Sequence, residues 1–214
     1  MSDIKSNLRA YYNEEAVLRD ISPKQGWKLE VRERFLELVK AEGKQTLLEL
    51  GAGAGHDSKY FMDNGVTVTA IDLSSEMVKL CKAKSIEAYE MDYYEVANIG
   101  KKFDCIWSMN SLLHVPKTEL PRVLQSIESI INLSGLFYMG VYGGVDEESD
   151  FYNERASAPR FFSRFTNGAL EVVLSKFFDI IDFAQYEVTK GAKAFFHNDG
   201  LHFQSVVMRK RQLV

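Results

Sequence analysis

The 214-residue chain has 46% hydrophobic residues and a formal net charge of −4. This composition supports one domain with a substantial core and excludes a disordered chain. The acidic balance gives no general electrostatic reason to bind nucleic acid. No apolar run reaches the roughly twenty residues that span a bilayer, and the N-terminal stretch lacks the apolar middle of a signal peptide. Two cysteines, Cys81 and Cys105, predict neither a disulfide framework nor a metal motif, so a reducing, cytoplasmic setting is expected.

Helices and strands alternate along most of the chain. Ser22-Pro23 predicts a helix start, because proline suits the first helical position, and apolar residues then recur at helical spacing from Trp27 to Val39. A later helix runs from Leu120 to about Gly135. The other elements, in chain order, are a strand at QTLLELGAG, a helix at HDSKYFMDNG, a strand at VTVTAID, a helix at SSEMVKLCKAKS with Ser74 as N-cap, strands at IEAYEMD, FDCIWSM and LFYMGVYGG, and a helix around Leu170 to Phe177.

Strands that alternate with helices predict an α/β fold: a doubly wound, mostly parallel sheet covered on both faces. The end of the chain departs from this order, since FDIIDFAQYEVT and FQSVVMRK are two strands without a helix between them. These last strands are expected to pair antiparallel, which gives seven strands with an antiparallel last one. We expect a single domain over residues 1–214. It would comprise an N-terminal helical lid (1–42), a ligand-binding core (43–144) and a substrate loop with a C-terminal helix and hairpin (145–214).

The stretch LLELGAGAGHD places Gly51, Gly53 and Gly55 directly after the first core strand. Glycines at this point let the backbone turn tightly and bring its N–H groups close to a ligand. The following helix directs its free N–H groups to the same place, which favours an anion. The alternative is that the glycines only turn the chain.

Polar side chains end the next three strands. The second strand ends in Asp72, about twenty residues past the first glycine, where an acidic side chain typically accepts ribose hydroxyls. The third strand ends in Asp92-Tyr93, which could offer a carboxylate to the exocyclic amine of a purine and a ring to stack on it. The fourth strand ends in the polar stretch SMNSLLHV. Each aspartate alone is consistent with a turn or a helix cap, but their common position at one sheet edge favours a nucleoside site.

The glycine spacing also restricts the ligand. His56 breaks the dinucleotide spacing G-x-G-x-x-G, and no phosphate loop of the form G-x-x-x-x-G-K-[ST] is present. Glu49, two residues before Gly51, would repel a pyrophosphate but suits an α-amino group, or orders the loop. A ligand with an amino-acid end and an adenosine end, S-adenosylmethionine, fits these features.

The segments LELGAGAGHDSKYF, VTAIDLSSEMV, YEMDYYEV and SLLHVP resemble successive motifs of the class I S-adenosylmethionine-dependent methyltransferases, in the small-molecule branch. The resemblance extends from Leu47 to Tyr142 and implies a Rossmann-like fold. It further implies an aromatic N-terminal lid at Tyr11 and Tyr12. By this resemblance the cofactor-binding residues would be Tyr11, Glu49, Gly51, Gly53, Gly55, Asp57, Asp72, Leu73, Met77, Asp92, Tyr93 and Met109.

Methyl transfer from a sulfonium needs alignment more than a catalytic side chain, and a general base only if the acceptor carries a proton. His114, just past the fourth strand, is the first candidate for that base; alternatively it shapes the loop before Pro116. Acceptor binding is expected in RAYYNEEA, in VDEESDFYNERASAPRFFS and in FFHNDGLH. The candidate acceptor-binding residues are Tyr12, Arg155, Arg160 and Phe161, although the aromatics could instead be core anchors.

The sequence thus predicts a cytoplasmic methyltransferase that uses S-adenosylmethionine, releases S-adenosylhomocysteine and acts on a small-molecule acceptor. It predicts no metal, nucleic-acid or membrane partner, and a monomer or homodimer. A non-catalytic S-adenosylmethionine-binding protein is the first alternative, and a nicotinamide oxidoreductase, disfavoured by the loop spacing, is the second.

Overall fold

The computed structural model describes residues 2–188 and 200–212, so most of the segment FFHNDGLH lies outside the described residues. Two helices precede the sheet, and α/β alternation follows. These elements are α1 (Ser2–Ile21), α2 (Gly26–Ala41), β1 (Thr46–Leu50), α3 (His56–Asp63), β2 (Thr67–Asp72), α4 (Ser75–Ala83), β3 (Glu87–Glu90) and β4 (Phe103–Met109).

The second half contains one long central strand, a separate hairpin and the two C-terminal strands. Short 3₁₀ helices, Tyr93–Ile99 and Leu112–His114, follow β3 and β4. The remaining elements are α5 (Leu120–Ile130), β5 (Ile131–Gly143), β6 (Glu147–Phe151), β7 (Arg160–Arg164), α6 (Asn167–Leu174), β8 (Phe178–Glu187) and β9 (His202–Lys210).

The main sheet has seven strands in the order β3-β2-β1-β4-β5-β9-β8. The first five strands pair in parallel, whereas β9 pairs antiparallel with both β5 and β8. The predicted fold, including its antiparallel last strand, is therefore confirmed. The strand order reverses between β1 and β4, and a crevice at this point is where open α/β sheets bind ligands.

Both faces of the sheet are covered, which explains why its central strands are apolar almost throughout. On one face, Phe35 of α2 and Phe61 of α3 pack against Trp107 and Tyr138. On the other face, α5 contributes a buried stripe of leucine, isoleucine and valine. This double layer fixes the strand ends that carry the polar residues.

Three local expectations were wrong. Helix α5 ends at Ile130 and not near Gly135, because the chain enters β5 at Ile131, which pairs with Phe103 of β4. Helix α2 begins at Gly26 and not at Pro23, because the hydroxyl of Ser22 bonds the Leu18 carbonyl at the end of α1 and leaves Pro23 in the connection. The segment after β5 is also not a simple loop. Residues Glu147–Phe151 and Arg160–Arg164 pair as an antiparallel hairpin apart from the main sheet. Alternating exposed acidic residues in β6 concealed the strand pattern.

Candidate functional site

A cavity of about 1000 Å³ opens at the carboxyl ends of β1, β2, β4 and β5, under the N-terminal helices. Its volume is at the upper end of the range for small-molecule sites. Of the predicted residues, the following line it: Tyr12, Glu49, Gly51, Gly53, Asp57, Asp72, Leu73, Met77, Tyr93, Met109 and His114.

The glycine turn is held against β2 and against the loop after β4. The N–H groups of Gly51 and Ala52 donate to the Ile71 carbonyl at 2.9 and 3.0 Å. Gly51 has a φ of +67°, and a Cβ on it would lie 2.2 Å from the hydroxyl oxygen of Ser111. At Gly53 a Cβ would meet nothing within 4 Å. The turn therefore needs glycine for close approach at Gly51, while Gly53 leaves space beside the cavity.

Gly55 has a different role from the predicted one. It does not line the cavity, and a Cβ on it would lie 2.8 Å from Ile86 and 2.9 Å from Cys81. With a φ of +81°, Gly55 precedes α3 and lets this turn pack on the α4–β3 unit. Its place in the motif reflects packing and not contact with the cavity.

Asp72 ties the turn to the end of β2. One carboxylate oxygen accepts the Gly53 N–H at 2.8 Å, and the other accepts the Ser74 N–H at 2.9 Å. Burial raises the pKa of Asp72, and these two N–H groups oppose that effect. Ser74 caps α4 as expected, accepting the Met77 N–H. The carboxylate is thus held at the cavity wall by backbone donors.

Asp92 does not line the cavity. Its carboxylate forms an ion pair of 2.5 Å with Lys5 of α1 and also accepts the Tyr94 N–H at 3.1 Å. The neighbouring Tyr93 does line the cavity, and burial raises its pKa well above the usual value. Only one half of the predicted Asp92-Tyr93 pair is therefore brought to the cavity.

A buried charged network surrounds Glu49 and Asp57. The Ser58 hydroxyl donates to Glu49, whose pKa is raised to about 8, first by burial and then by the negative charge of Asp57. Burial opposes ionisation of Asp57 as well, but Lys24 and Arg32 outweigh it and hold its pKa low. Asp57 thus carries the charge, while Glu49 holds a proton at neutral pH.

His114 is buried and both its ring nitrogens have partners. Nδ1 lies 2.6 Å from the Phe161 carbonyl, which can only accept, so Nδ1 carries the proton. Nε2 then accepts from the Tyr12 hydroxyl at 2.6 Å. Burial lowers the pKa of His114 to about 3. The imidazole is therefore neutral, and it lines the cavity beside Tyr12, to which it is bonded.

The other residues predicted to bind the acceptor, and Tyr11, lie outside the cavity. Tyr11 is 1% exposed and accepts from the Asn153 amide at 3.0 Å. The Arg160 guanidinium lies 4.5 Å from the centre of the Tyr11 ring. Phe161 presents its carbonyl to His114, and Arg155 is exposed before β7. These residues join α1 to the hairpin, so the predicted lid contact at Tyr11 is a packing contact.

Sequence reasoning missed the basic wall of the cavity. Arg19 on α1, Lys24 before α2, and Lys28 and Arg32 on α2 all line it, as does Tyr142 near the end of β5. The sequence did carry a signal, because Lys24, Lys28 and Arg32 recur every four residues, and Lys28 and Arg32 lie one turn apart on the same face of α2. The pattern was missed because the helix was predicted from its apolar positions alone.

Among residues 2–188 and 200–212, no group of three or more His, Cys, Asp or Glu side chains could hold a metal ion. Over the same ranges, none of the helices combines the length and the apolar character that a membrane span requires. The fold and the cavity together define a nucleoside-type site in a doubly wound sheet.

Residues 47–135 match the family model of the methyltransferase domain. Within this match lie the glycine turn, Asp72 and His114. Residues 47–135, which make up less than half of the 214-residue chain, are therefore similar to that methyltransferase domain.

Curated and solved proteins show the same likeness. Malonyl-[acyl-carrier protein] O-methyltransferase of Pectobacterium atrosepticum is 32% identical over 108 residues, which is 49% of this chain and 41% of that protein. The chain thus spans less than half of this relative's length.

Two solved structures share the fold over nearly the whole chain. The DhpI–SAH complex has a TM-score of 0.75 at 17% identity and covers 100% of both chains. The 1,6-didemethyltoxoflavin-N1-methyltransferase of Burkholderia thailandensis, solved with 1,6-didemethyltoxoflavin and S-adenosylhomocysteine, has a TM-score of 0.68 at 21% identity. The match to this second structure covers 99% of this chain and 88% of that one.

Proposed function

We propose that this chain transfers a methyl group from S-adenosylmethionine to a small-molecule acceptor. The observation that carries the proposal is the glycine turn, held between Glu49 and Asp72 at one end of a cavity of about 1000 Å³. The relatives named above include an O-methyltransferase and an N-methyltransferase. The proposal accordingly specifies the acceptor by size and not by the atom methylated.

The residues at the cavity wall fit this cofactor. Asp72 keeps acceptor capacity for ribose hydroxyls, because a carboxylate accepts about four hydrogen bonds and two are used. The side-chain oxygen of Asn110 is buried without a hydrogen-bond partner among the described residues. Glu49 and this oxygen suit an α-ammonium group, while Leu73 and Met77 offer apolar surface to the adenine. Lys24 and Arg32 supply positive charge for the carboxylate.

When bound, S-adenosylmethionine supplies a methyl group already activated by its positive sulfur. The chain must then align the acceptor and exclude water, which can contribute about 7–11 kcal/mol to lowering the barrier. Helix α1 covers the cavity and is held near its middle by contacts to two other parts of the chain. Arg9 and Asn13 bond the β2–α4 connection, and Tyr11 bonds the hairpin through Asn153.

We propose that His114 acts through Tyr12 and is not itself the base that contacts the acceptor. The neutral imidazole orients the Tyr12 hydroxyl by accepting its proton in a hydrogen bond. The oxygen of Tyr12 is then left to accept from an acceptor group in the cavity. His114 is thus a positioning residue, and Tyr12 is the group that contacts the acceptor.

A two-part measurement tests the function. Calorimetry should show S-adenosylhomocysteine binding at about micromolar affinity and no binding of NAD. Labelled S-adenosylmethionine, incubated with fractionated metabolite extract, should then pass its label to a small molecule. Binding of NAD alone would contradict the proposal. Cofactor binding with no transfer to any fraction would favour the non-catalytic binding protein.

A further inference from the structure

Two cations in the cavity wall have no carboxylate partner among residues 2–188 and 200–212. Six Lys and Arg side chains line the cavity, and four of them form ion pairs. Arg19 and Lys28 form none within 4.0 Å with the carboxylates that the structure describes. The four paired cations are Lys24 and Arg32, which share Asp57, Lys59, which pairs with Asp63, and Lys84, which pairs with Asp20.

Arg19 is only partly satisfied. Its Nε is buried and has no hydrogen-bond partner in the described part of the chain. The guanidinium lies 4.8 Å from the centre of the Tyr12 ring, and Tyr12 in turn bonds His114. A buried N–H without an acceptor is costly, so this position suits a ligand that brings an acceptor.

Lys28 lies among aromatic rings. Its ammonium donates to the Tyr142 hydroxyl at 3.3 Å, and the centres of the Trp27, Tyr142 and Phe203 rings lie 5.2 to 5.9 Å away. The pKa of Lys28 is lowered to about 8, first by burial and then by the charges of Lys24 and Arg19, while the charge of Asp57 opposes them. A bound anion beside Lys28 would raise this pKa again and so favour the charged form of the lysine.

Lys28 lies beside Tyr142 in the half of the cavity away from the glycine turn, and Arg19 lies beside Tyr12, from where its charge also acts on Asp72. Tyr142 lies on β5, which is separated from β1 by β4, and Tyr12 contacts the 3₁₀ helix that follows β4. The cations near the glycine turn, Lys24 and Arg32, are bound instead to Asp57 of α3. Lys28, and Arg19 at its contact with Tyr12, therefore border the part of the cavity left for the acceptor.

We propose that the methyl acceptor carries an oxyanion, a carboxylate or a phosphate, which Arg19 and Lys28 bind together beside Tyr142. The inference rests on the proposed function, since it assigns this half of the cavity to the acceptor. Arginine offers a planar set of donors and lysine a compact charge, and both bind such oxygens by charge-assisted hydrogen bonds. Neither a neutral nor a cationic acceptor would give these two side chains a counter-charge.

The probes are inorganic phosphate and acetate, and the readout is the side-chain Cε resonance of Lys28 in NMR spectra, assigned by its loss in Lys28→Met. We expect a saturable shift with a midpoint at millimolar concentration for at least one probe, and the preferred probe tells phosphate from carboxylate. Arg19→Gln should weaken that midpoint by about fivefold or more. The resonance of Lys40, exposed on the same helix, is the control and should not respond.

The same variants separate the acceptor site from the cofactor site. S-adenosylhomocysteine carries a carboxylate, and 5′-methylthioadenosine has neither that carboxylate nor the amino group. We expect Lys28→Met to weaken both ligands by less than about threefold, as does the control Lys40→Met. A loss of about tenfold for S-adenosylhomocysteine alone would mean that Lys28 holds the cofactor carboxylate, and would overturn the inference.

The remaining outcomes are also decisive. The oxyanion site is overturned if neither probe gives a saturable shift of the Lys28 resonance, or if Arg19→Gln leaves the midpoint unchanged. The proposed function is not affected by either result, because cofactor binding tests it separately. The protein could instead show the saturable shift but bind neither S-adenosylhomocysteine nor 5′-methylthioadenosine. That result would support the oxyanion site and contradict the proposed function.

Discussion

The two sides of the cavity are built from contacts of different range along the chain. On the floor, Gly53 bonds Asp72, and Gly51 bonds Ile71, within a single strand–turn–helix–strand unit. In the cover, Tyr12 bonds His114, and Tyr11 bonds Asn153, across more than a hundred residues. The floor is therefore a local structure, whereas the cover exists only after the whole chain has folded.

This difference indicates that damage to the floor and damage to the cover should have separable effects. A change in the floor alters a rigid turn that is packed into the central sheet, so we expect large losses of stability or cofactor affinity. A change in the cover alters contacts of helix α1, so we expect losses in turnover or small losses in stability.

The largest effect is expected at Gly51. In Gly51→Ala the new Cβ would collide with Ser111 at a residue whose φ is +67°, which should cost about 3 kcal/mol of unfolding free energy. Gly53→Ala is the matched control, because it has a similar φ of +55° and open space around its Cβ. Urea unfolding should show a loss of only about 1 kcal/mol for that variant. Equal losses would contradict the close approach to Ser111.

Next comes the Tyr12–His114 pair of the cover. Tyr12→Phe should lower kcat by about a hundredfold, if proton removal from the acceptor limits the rate, and His114→Ala should do the same. Because the two side chains act as a unit, the double variant should be no slower than either single one. Steady-state kinetics of the three variants checks this. Additive losses would show that the two residues act independently.

The Asp72 carboxylate should matter mostly for cofactor affinity. We expect Asp72→Asn to weaken S-adenosylhomocysteine by about thirtyfold, since it removes charge-assisted bonds to the ribose and replaces an acceptor with a donor. Asp179→Asn, on the exposed side of β8 and outside the cavity, should leave the affinity unchanged. Calorimetry of both variants makes the comparison. Equal affinities would place the ribose elsewhere.

Glu49 should make cofactor binding depend on pH. Its pKa of about 8 leaves it protonated in the free protein at pH 7, and an α-ammonium group favours the ionised form. Binding should therefore release a proton, and affinity should rise by up to about tenfold per pH unit between pH 6 and 8. Calorimetry in buffers of different ionisation enthalpy measures the proton. Glu49→Gln should abolish this release, and release from that variant would implicate another group.

The same shift predicts how Glu49 affects folding. Between the usual glutamate pKa of 4.5 and about 8, the folded protein keeps a proton that the unfolded chain has lost. Stability of the free protein should therefore fall as pH rises through this window. Comparison with Glu49→Gln isolates this contribution from those of other groups.

The smallest effect is expected where α1 meets the hairpin. Tyr11→Phe removes only the bond from Asn153 and should cost about 1 kcal/mol of unfolding free energy. Asn153→Ala removes that bond and also the one that its side-chain oxygen accepts from the Arg155 N–H. Cofactor affinity should stay unchanged in Tyr11→Phe. A large loss of affinity would mean that Tyr11 contacts the ligand after all.

The main sheet and its covering helices could be predicted because most of these elements carry their own periodicity, and the glycine turn could be predicted because its residues are consecutive. Asp72 could be predicted as a site residue because it ends the next strand, about twenty residues after the first glycine. The partnership of Lys5 with Asp92 depends on where α1 docks, and no local pattern encodes that position. The hairpin was missed because the exposed face of β6 is acidic, and the role of Gly55 because its neighbours, Cys81 and Ile86, come from later elements.

The structure of the complex with S-adenosylhomocysteine tests the central claim most directly. The account predicts ribose oxygens within hydrogen-bond distance of Asp72 and the amino group beside Glu49, with the glycine turn along the ligand. A nucleoside bound away from β2, with Asp72 still facing only its own backbone donors, would contradict it.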